Sequence, residues 1–155
     1  MTGGPPPLRP FGLVLHRDGS WTHEGVPITN VRLRAVFDRS VRYLPDEAKY
    51  VVQLGRFRGQ IEIEEVGFFV RQVDLARGRV HVSDRSQDRL DLASLQRSAF
   101  DDALLVRIKR ELEPAGLLAR FTHAAQAELL QAVEPGDRGP GLLLQGVWQP
   151  LPELD

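Results

Sequence analysis

The sequence predicts an α+β fold made of two β-rich lobes of mostly antiparallel strands, each with one amphipathic helix. Three observations predict it. Two stretches, 31–42 and 122–134, place apolar residues at helical spacing directly after a capping residue: Thr29 or Asn30 in the first, Thr122 in the second. Around them lie roughly eight or nine short β-branched or alternating segments, divided by Gly, Pro and Asp-Gly pairs. The chain has 155 residues, enough for one ordinary domain or two small subdomains.

Residues 1–10, MTGGPPPLRP, read as a flexible N-terminal tail, because Gly and Pro resist helix and cannot complete a sheet ladder. The N-terminal lobe then spans 11–76. It opens with a hairpin, 11–15 and 20–23, around Asp18-Gly19, a pair suited to a two-residue turn. Such a turn sets Arg17 opposite Ser20, His16 opposite Trp21 and Val14 opposite His23. Gly25-Val26-Pro27 breaks the second strand. The helix over 31–42 buries Leu33, Val36, Phe37 and Val41 and stops before Leu44-Pro45, where proline restricts its predecessor. Residues 50–54 form a strand, 56–59 turn, and 60–64 alternate, with Ile61 and Ile63 on one face and Glu62 and Glu64 on the other. Glu65 falls out of phase, which asks for a bulge or turn near 65–67 or for an inward carboxylate. A strand over 68–74 follows.

The C-terminal lobe, 77–155, starts with a turn at Arg77-Gly78 into a strand over 79–83. The stretch 84–102 is the least legible: Leu90 and Leu92 suggest a short strand, while Leu95 and Phe100 fit strand, helix or loop. Strands are predicted over 103–109 and 117–121, separated by a turn at 113–116. The second helix has an apolar side of Ala125, Ala127, Leu129, Leu130 and Val133, and Pro135-Gly136 ends it. A last strand covers 142–148, stopped by Pro150 and Pro152. The lobes echo each other weakly, but the order of their parts differs and no residue-level repeat survives, so no duplication is inferred.

Three stretches carry a family resemblance. They are DGSWTHEGVPI at 18–28, with Leu33 and Phe37 following; IEIEEVGFFV at 61–70; and GLLARFTHAAQAELLQAV at 116–133, followed by Gly146-Val147-Trp148. Together they resemble the bacterial family named domain of unknown function 1285, with its Asp-Gly-x-Trp-x-x-x-Gly-x-Pro-Ile opening, Ile-x-Val-Glu-Asp-x-x-Phe run and Gly-Leu-x-Ala-Arg strand. The likeness covers most of the chain in the right order. It departs at Glu65, where Asp is expected, at Gly67, where Pro is common, and over 84–102. The resemblance implies a two-lobed α+β fold and no established activity; a part in sensing or signalling has been suggested for such folds.

Composition narrows the function classes. Twenty basic residues against 21 acidic ones leave a net charge of -1, so nothing draws the whole chain to nucleic acid or anionic lipid. The absence of cysteine removes disulfides and thiolate chemistry. No apolar run reaches a membrane span and the N-terminus has no signal-peptide core, so cytoplasmic residence is expected. His16, His23, His81 and His123 are the candidate metal ligands. His16 and His23 share a hairpin face, but Glu24 points the other way and no third ligand converges, so neither metal nor cofactor is expected. Ser20, Ser83 and Thr122 sit at turns or caps, where hydroxyls bind backbone donors. No catalytic residue is assigned, and the chain is read as a non-enzyme.

The reading that remains is a non-catalytic binding or regulatory module for a protein or small ligand. Two alternatives stand beside it: nucleic-acid contact through the basic region 32–58 (Arg32, Arg34, Arg39, Arg42, Lys49, Arg56, Arg58), or an enzyme using Glu64/Glu65. The expected groove comprises Trp21, Glu64, Glu65 and Arg120, with Arg120 meeting Glu64 or Glu65 across the junction of the lobes through its planar fork. A purely structural ion pair is the plainer form of the same contact. Oligomeric state is open, a homodimer being compatible with the sequence.

Overall fold

The computed structural model describes residues 9–154, with side chains from residue 12 onward. The expected tail lies outside them except at Arg9 and Pro10, which open the first strand. By internal contacts the chain divides into two units, 1–67 and 68–155.

In the first unit, β1 (Arg9–Leu15) and β2 (Trp21–His23) form the expected hairpin with one more residue in its turn. The His16 N–H donates to Ser20 O and the Gly19 N–H to His16 O, both at 2.9 Å. Arg17, Asp18 and Gly19 thus form a three-residue loop, with Gly19 at φ 86° in the left-handed conformation that such a loop requires. The register becomes Leu15↔Trp21, Val14↔Thr22 and Leu13↔His23. It corrects the expected pairing by one residue, and that slip exchanges the two faces. Glu24 and Gly25, at φ 50° and 81°, then make a tight turn into β3 (Val26–Pro27), so the expected break is a second hairpin.

Helix α1 (Val31–Ser40) starts as predicted, with the Asn30 side chain accepting from Leu33 N at 3.0 Å. It ends two residues short of the expected 42, because Val41 is extended and enters β4 (Val41–Leu44). Of its expected apolar face, Val36 and Phe37 are half-buried, Leu33 is 41% exposed, and Val41 is buried as a strand residue. The chain continues through β5 (Lys49–Leu54) and β6 (Phe57–Ile63). Their turn is only Gly55-Arg56, since Leu54 pairs with Phe57; the expected turn at 56–59 is mostly strand. The sheet order is β3-β2-β1-β6-β5-β4, two antiparallel meanders joined through a parallel β1·β6 pair. After Ile63 the chain leaves the sheet in a bend, which is why the alternation fails at Glu65. At Gly67 the Tyr50 ring stands where a Cβ would project, so only glycine fits there.

The second unit begins with β7 (Phe68–Asp74), followed by β8 (Arg79–Val82), β9 (Gln87–Arg89), a 3-10 turn at Leu92–Ser94, β10 (Gln96–Arg97), β11 (Leu104–Ile108) and β12 (Leu117–Phe121). The division after Gly67 replaces the expected one after residue 76, because β7 pairs with β8 and β12. Leu90 and Leu92 are buried, as apolar residues should be, but neither lies in a strand: Leu90 follows β9 and Leu92 opens the 3-10 turn. Helix α2 (His123–Gln131) follows and buries Ala125 and Leu129; Ala127 and Leu130 of its expected apolar side are exposed. β13 (Glu134–Gly136), β14 (Gly139–Leu144) and β15 (Val147–Pro150) make a small antiparallel sheet. The expected single strand over 142–148 is a hairpin, turned by Gln145-Gly146 at φ 52° and 76°.

Read outward from its parallel pair, the larger sheet of the second unit runs β9-β8-β7-β12-β11-β10. This is the order of the first unit, strand for strand. A helical segment links the third and fourth strands of each, α1 in one and the 3-10 turn in the other. The backbone past the sixth strand bonds back to the first in the same way, Glu64 N to Leu15 O and Thr122 N to Val70 O, both at 2.9 Å. The expectation that the order of parts differs is corrected: the topology is repeated although no residue pattern shows it. α2 and the small sheet are additions to the second copy.

Thr122 caps α2 as predicted, its hydroxyl accepting from Ala125 N at 3.2 Å. Thr122→Ala is expected to destabilise the protein by about 1 kcal/mol. The measurement is a urea titration, in which the midpoint falls and the slope stays unchanged.

Candidate functional site

The three-residue turn decides what the opening hairpin presents. Leu15 and Trp21 pair on the core side, each 1% exposed, so Val14, His16, Thr22 and Ser20 share the other face. His16 and Thr22 become diagonal neighbours, and His16 Nε2 lies 2.9 Å from Thr22 Oγ1. The parallel strand supplies the third group. Because Leu15 pairs with Ile63, Glu64 comes level with His16, and its Oε2 lies 2.9 Å from His16 Nδ1. Arg17 holds the other carboxylate oxygen, Oε1.

These residues line a hollow of about 650 Å³, together with Asp18, Ser20, Trp21, Pro27, Ile28, Thr29 and Arg34. Sites for small molecules measure about 300–1,000 Å³. The hydrogen bond from His16 holds the Glu64 carboxyl below the usual carboxylate range, and the Arg17 charge adds to this. Asp18 is also held low, by the hydroxyl of Ser20 and then by its backbone N–H, at 2.6 and 2.9 Å. Both carboxylates are therefore ionised and engaged at neutral pH. Arg34, in the first turns of α1, has no side-chain partner among the described residues.

Of the expected groove residues, the structure brings Trp21 and Glu64 to this hollow. Trp21 is chiefly a core residue: its indole N–H donates to Asp38 Oδ1 at 2.7 Å, and its ring is tilted against Phe37 with centroids 5.4 Å apart. Glu65 is half-buried in the bend after β6. Arg120 belongs to the second unit, where it is buried on β12 and donates to Asp101. Ser83 and Thr122 accept from backbone N–H groups as expected, whereas the Ser20 hydroxyl donates to Asp18 Oδ1 within its turn.

His16 and His23 do not share a face, which corrects the expectation and follows from the register slip. Among the described residues no three His, Asp or Glu side chains are grouped to hold a metal ion. No described helix is long and apolar enough to cross a membrane. The basic region 32–58 is spread over α1, β4 and the β5–β6 hairpin, and Arg42 spends its guanidinium on the carbonyls of Arg39 and Val41 at 2.8 Å. Thr22 carries no signal of its own in the sequence, and Arg34 enters there only as one of the basic residues of 32–58. The legible signal was the apolar pair Leu15 and Trp21: burying both on one face demands the three-residue turn, and that turn sets Thr22 beside His16.

No family model and no curated protein matches the chain. Solved structures do. The crystal structure of a DUF1285 family protein from Silicibacter pomeroyi DSS-3 superposes with a TM-score of 0.62 at 18% identity, covering 97% of this chain and 89% of that one. The chain has the DUF1285 fold. A DUF1285 family protein from Shewanella baltica OS155 superposes with a TM-score of 0.52 at 13% identity, over 77% of this chain and 91% of its own. The resemblance carried by the three sequence stretches and the DUF1285 fold thus agree. At these identities the likeness is one of backbone, and the chemistry of the hollow has to be argued from this chain's own side chains.

Proposed function

We propose that the protein is a binding module for a small ligand bearing a carboxylate or phosphate, with the hollow of the first unit as its site. The observation that carries this is Arg34. Arg34 lines the hollow, and its guanidinium, which has no partner among the described residues, can offer parallel N–H donors to an anion through a planar fork that matches both groups. Of the neighbouring carboxylates, Glu64 is bridged by His16 and Arg17, and Asp18 accepts from Ser20 through Oδ1. An incoming anion therefore has the open cation of Arg34 to meet, with the Glu64 charge offset by Arg17. Thr29 adds a side chain that can donate a further hydrogen bond.

The test is calorimetric titration with inorganic phosphate, glycerol phosphate and citrate at constant ionic strength. At least one is expected to bind the natural protein, and Arg34→Gln is expected to weaken it by about ten- to a hundredfold, the worth of a hydrogen-bonded charge. Arg32→Gln, an exposed change on the same helix, is the control and should leave affinity within about twofold. No binding by any of the three, or equal binding by Arg34→Gln, overturns the proposal.

A further inference from the structure

We infer that the hollow is also an acyl-transfer centre for small esters, with Thr22 as nucleophile, His16 as base and Glu64 as the residue that positions His16. The inference rests on the preceding section only for the place of the ligand. Its own support is the hydrogen-bonded chain Thr22 Oγ1–His16 Nε2 and His16 Nδ1–Glu64 Oε2, both links at 2.9 Å and all three residues lining the hollow.

The direction of that chain follows from chemistry. Glu64 is ionised and can only accept, so the proton on Nδ1 points at it. In the neutral imidazole Nε2 is then bare and accepts from the Thr22 hydroxyl. That is the tautomer in which a histidine can take a proton from an alcohol, and a carboxylate on its far nitrogen stabilises the cation that results. Arg17 keeps Glu64 in place through the second oxygen. The hairpin turn brings Thr22 beside His16, and Glu64 is added from the end of a strand distant in sequence.

In the proposed reaction Thr22 Oγ1 bonds to the ester carbonyl carbon as its proton passes to Nε2. The carbon–oxygen bond to the alcohol breaks, and that oxygen leaves with the proton from Nε2. Water then attacks the threonyl ester, giving its proton to Nε2; the acid departs and Thr22 recovers its hydrogen. Ester and water become acid and alcohol, and no other reactant is needed. Arg34 lies in the same hollow to hold an anionic group of the substrate.

The experiment treats the intact protein with p-nitrophenyl acetate, following p-nitrophenolate release and mapping the acetyl group by peptide mass. The expected result is an adduct on Thr22 and release slowed about a hundredfold or more in Thr22→Val and His16→Gln, the usual worth of a positioned base. Thr22→Ser, which keeps the hydroxyl, should retain release. Glu64→Gln should lower kcat for p-nitrophenyl butyrate with KM unchanged, a split that a merely structural role does not produce. Should Thr22→Val fail to fold, labelling of the natural protein by diisopropyl fluorophosphate decides alone, since it requires an activated hydroxyl. No adduct on Thr22 from either reagent, or release by Thr22→Val equal to that of the natural protein, overturns the inference. Anion binding without an adduct removes this inference alone; an adduct without anion binding removes the ligand proposal alone.

Discussion

Asp84→Ala is expected to destabilise the second unit by about 3–5 kcal/mol, the cost of leaving one member of a buried ion pair without the other. Asp84 and Lys109 side chains are 7% and 11% exposed, and Lys109 Nζ lies 2.8 Å from Asp84 Oδ2. The ammonium also reaches Ser86 Oγ at 3.2 Å and stands 4.9 Å above the centre of the Phe68 ring. Removing the carboxylate strands the charge among groups that cannot neutralise it. Hydrogen exchange of the β7 and β8 amides measures the effect; a loss below about 1 kcal/mol would show the pair to be solvated like a surface bridge. The double change Asp84→Ala with Lys109→Met should recover part of the loss, because the stranded charge goes too.

The same pair sets a pH dependence. Burial pushes the Asp84 carboxyl up, but the hydrogen bonds from Lys109 and Ser86 and the Lys109 charge outweigh it, leaving the group below its ordinary value. A carboxyl depressed in the folded state contributes stability above its unfolded pKa and loses it as pH falls through the folded one. The natural protein should therefore lose stability in acid, and Asp84→Ala should lack that share of the loss.

Trp21→Ala is the second large effect, expected to remove about 3–5 kcal/mol from the first unit. Trp21 is among the largest fully buried side chains, packed opposite Leu15 and against Phe37 of α1, and its N–H bonds Asp38 on the same helix. Truncation leaves a cavity and unfastens α1 at once. Trp21→Phe should be milder, since it keeps most of the ring and loses the hydrogen bond, worth about 1 kcal/mol or somewhat more with a charged acceptor. Circular dichroism against urea ranks the two; Trp21→Ala no worse than Trp21→Phe would mean that packing contributes little there.

The legible parts of the fold were those whose signal is local. Asn30 and Thr122 cap their helices as their sequence contexts imply, and β7 and β12 occupy the residues their β-branched and aromatic content marked out. Tight turns were undercounted. Glu24-Gly25 and Gln145-Gly146 both reverse the chain through a non-glycine residue at positive φ, a conformation that β-pairing imposes and that composition does not announce. The repeated topology was hidden for a related reason. Strand order depends on which edges pair, and one apolar alternation looks like another whichever neighbour it meets.

Local signals were enough for the class, α+β with one capped helix in each β-rich unit, and for a turn at Asp18-Gly19 with Trp21 beyond it. Whether that turn holds two residues or three, and with it the whole candidate site, depended on packing between segments distant in the chain. Side chains alternate with period two along a strand, so one residue of slip exchanges the buried and open faces. The choice was made by burial of Leu15 and Trp21 together and by the bond from Glu64 N to Leu15 O, which comes from a strand almost fifty residues away. The hairpin register sets Thr22 beside His16, and the distant strand completes the line by bringing the Glu64 carboxylate level with His16.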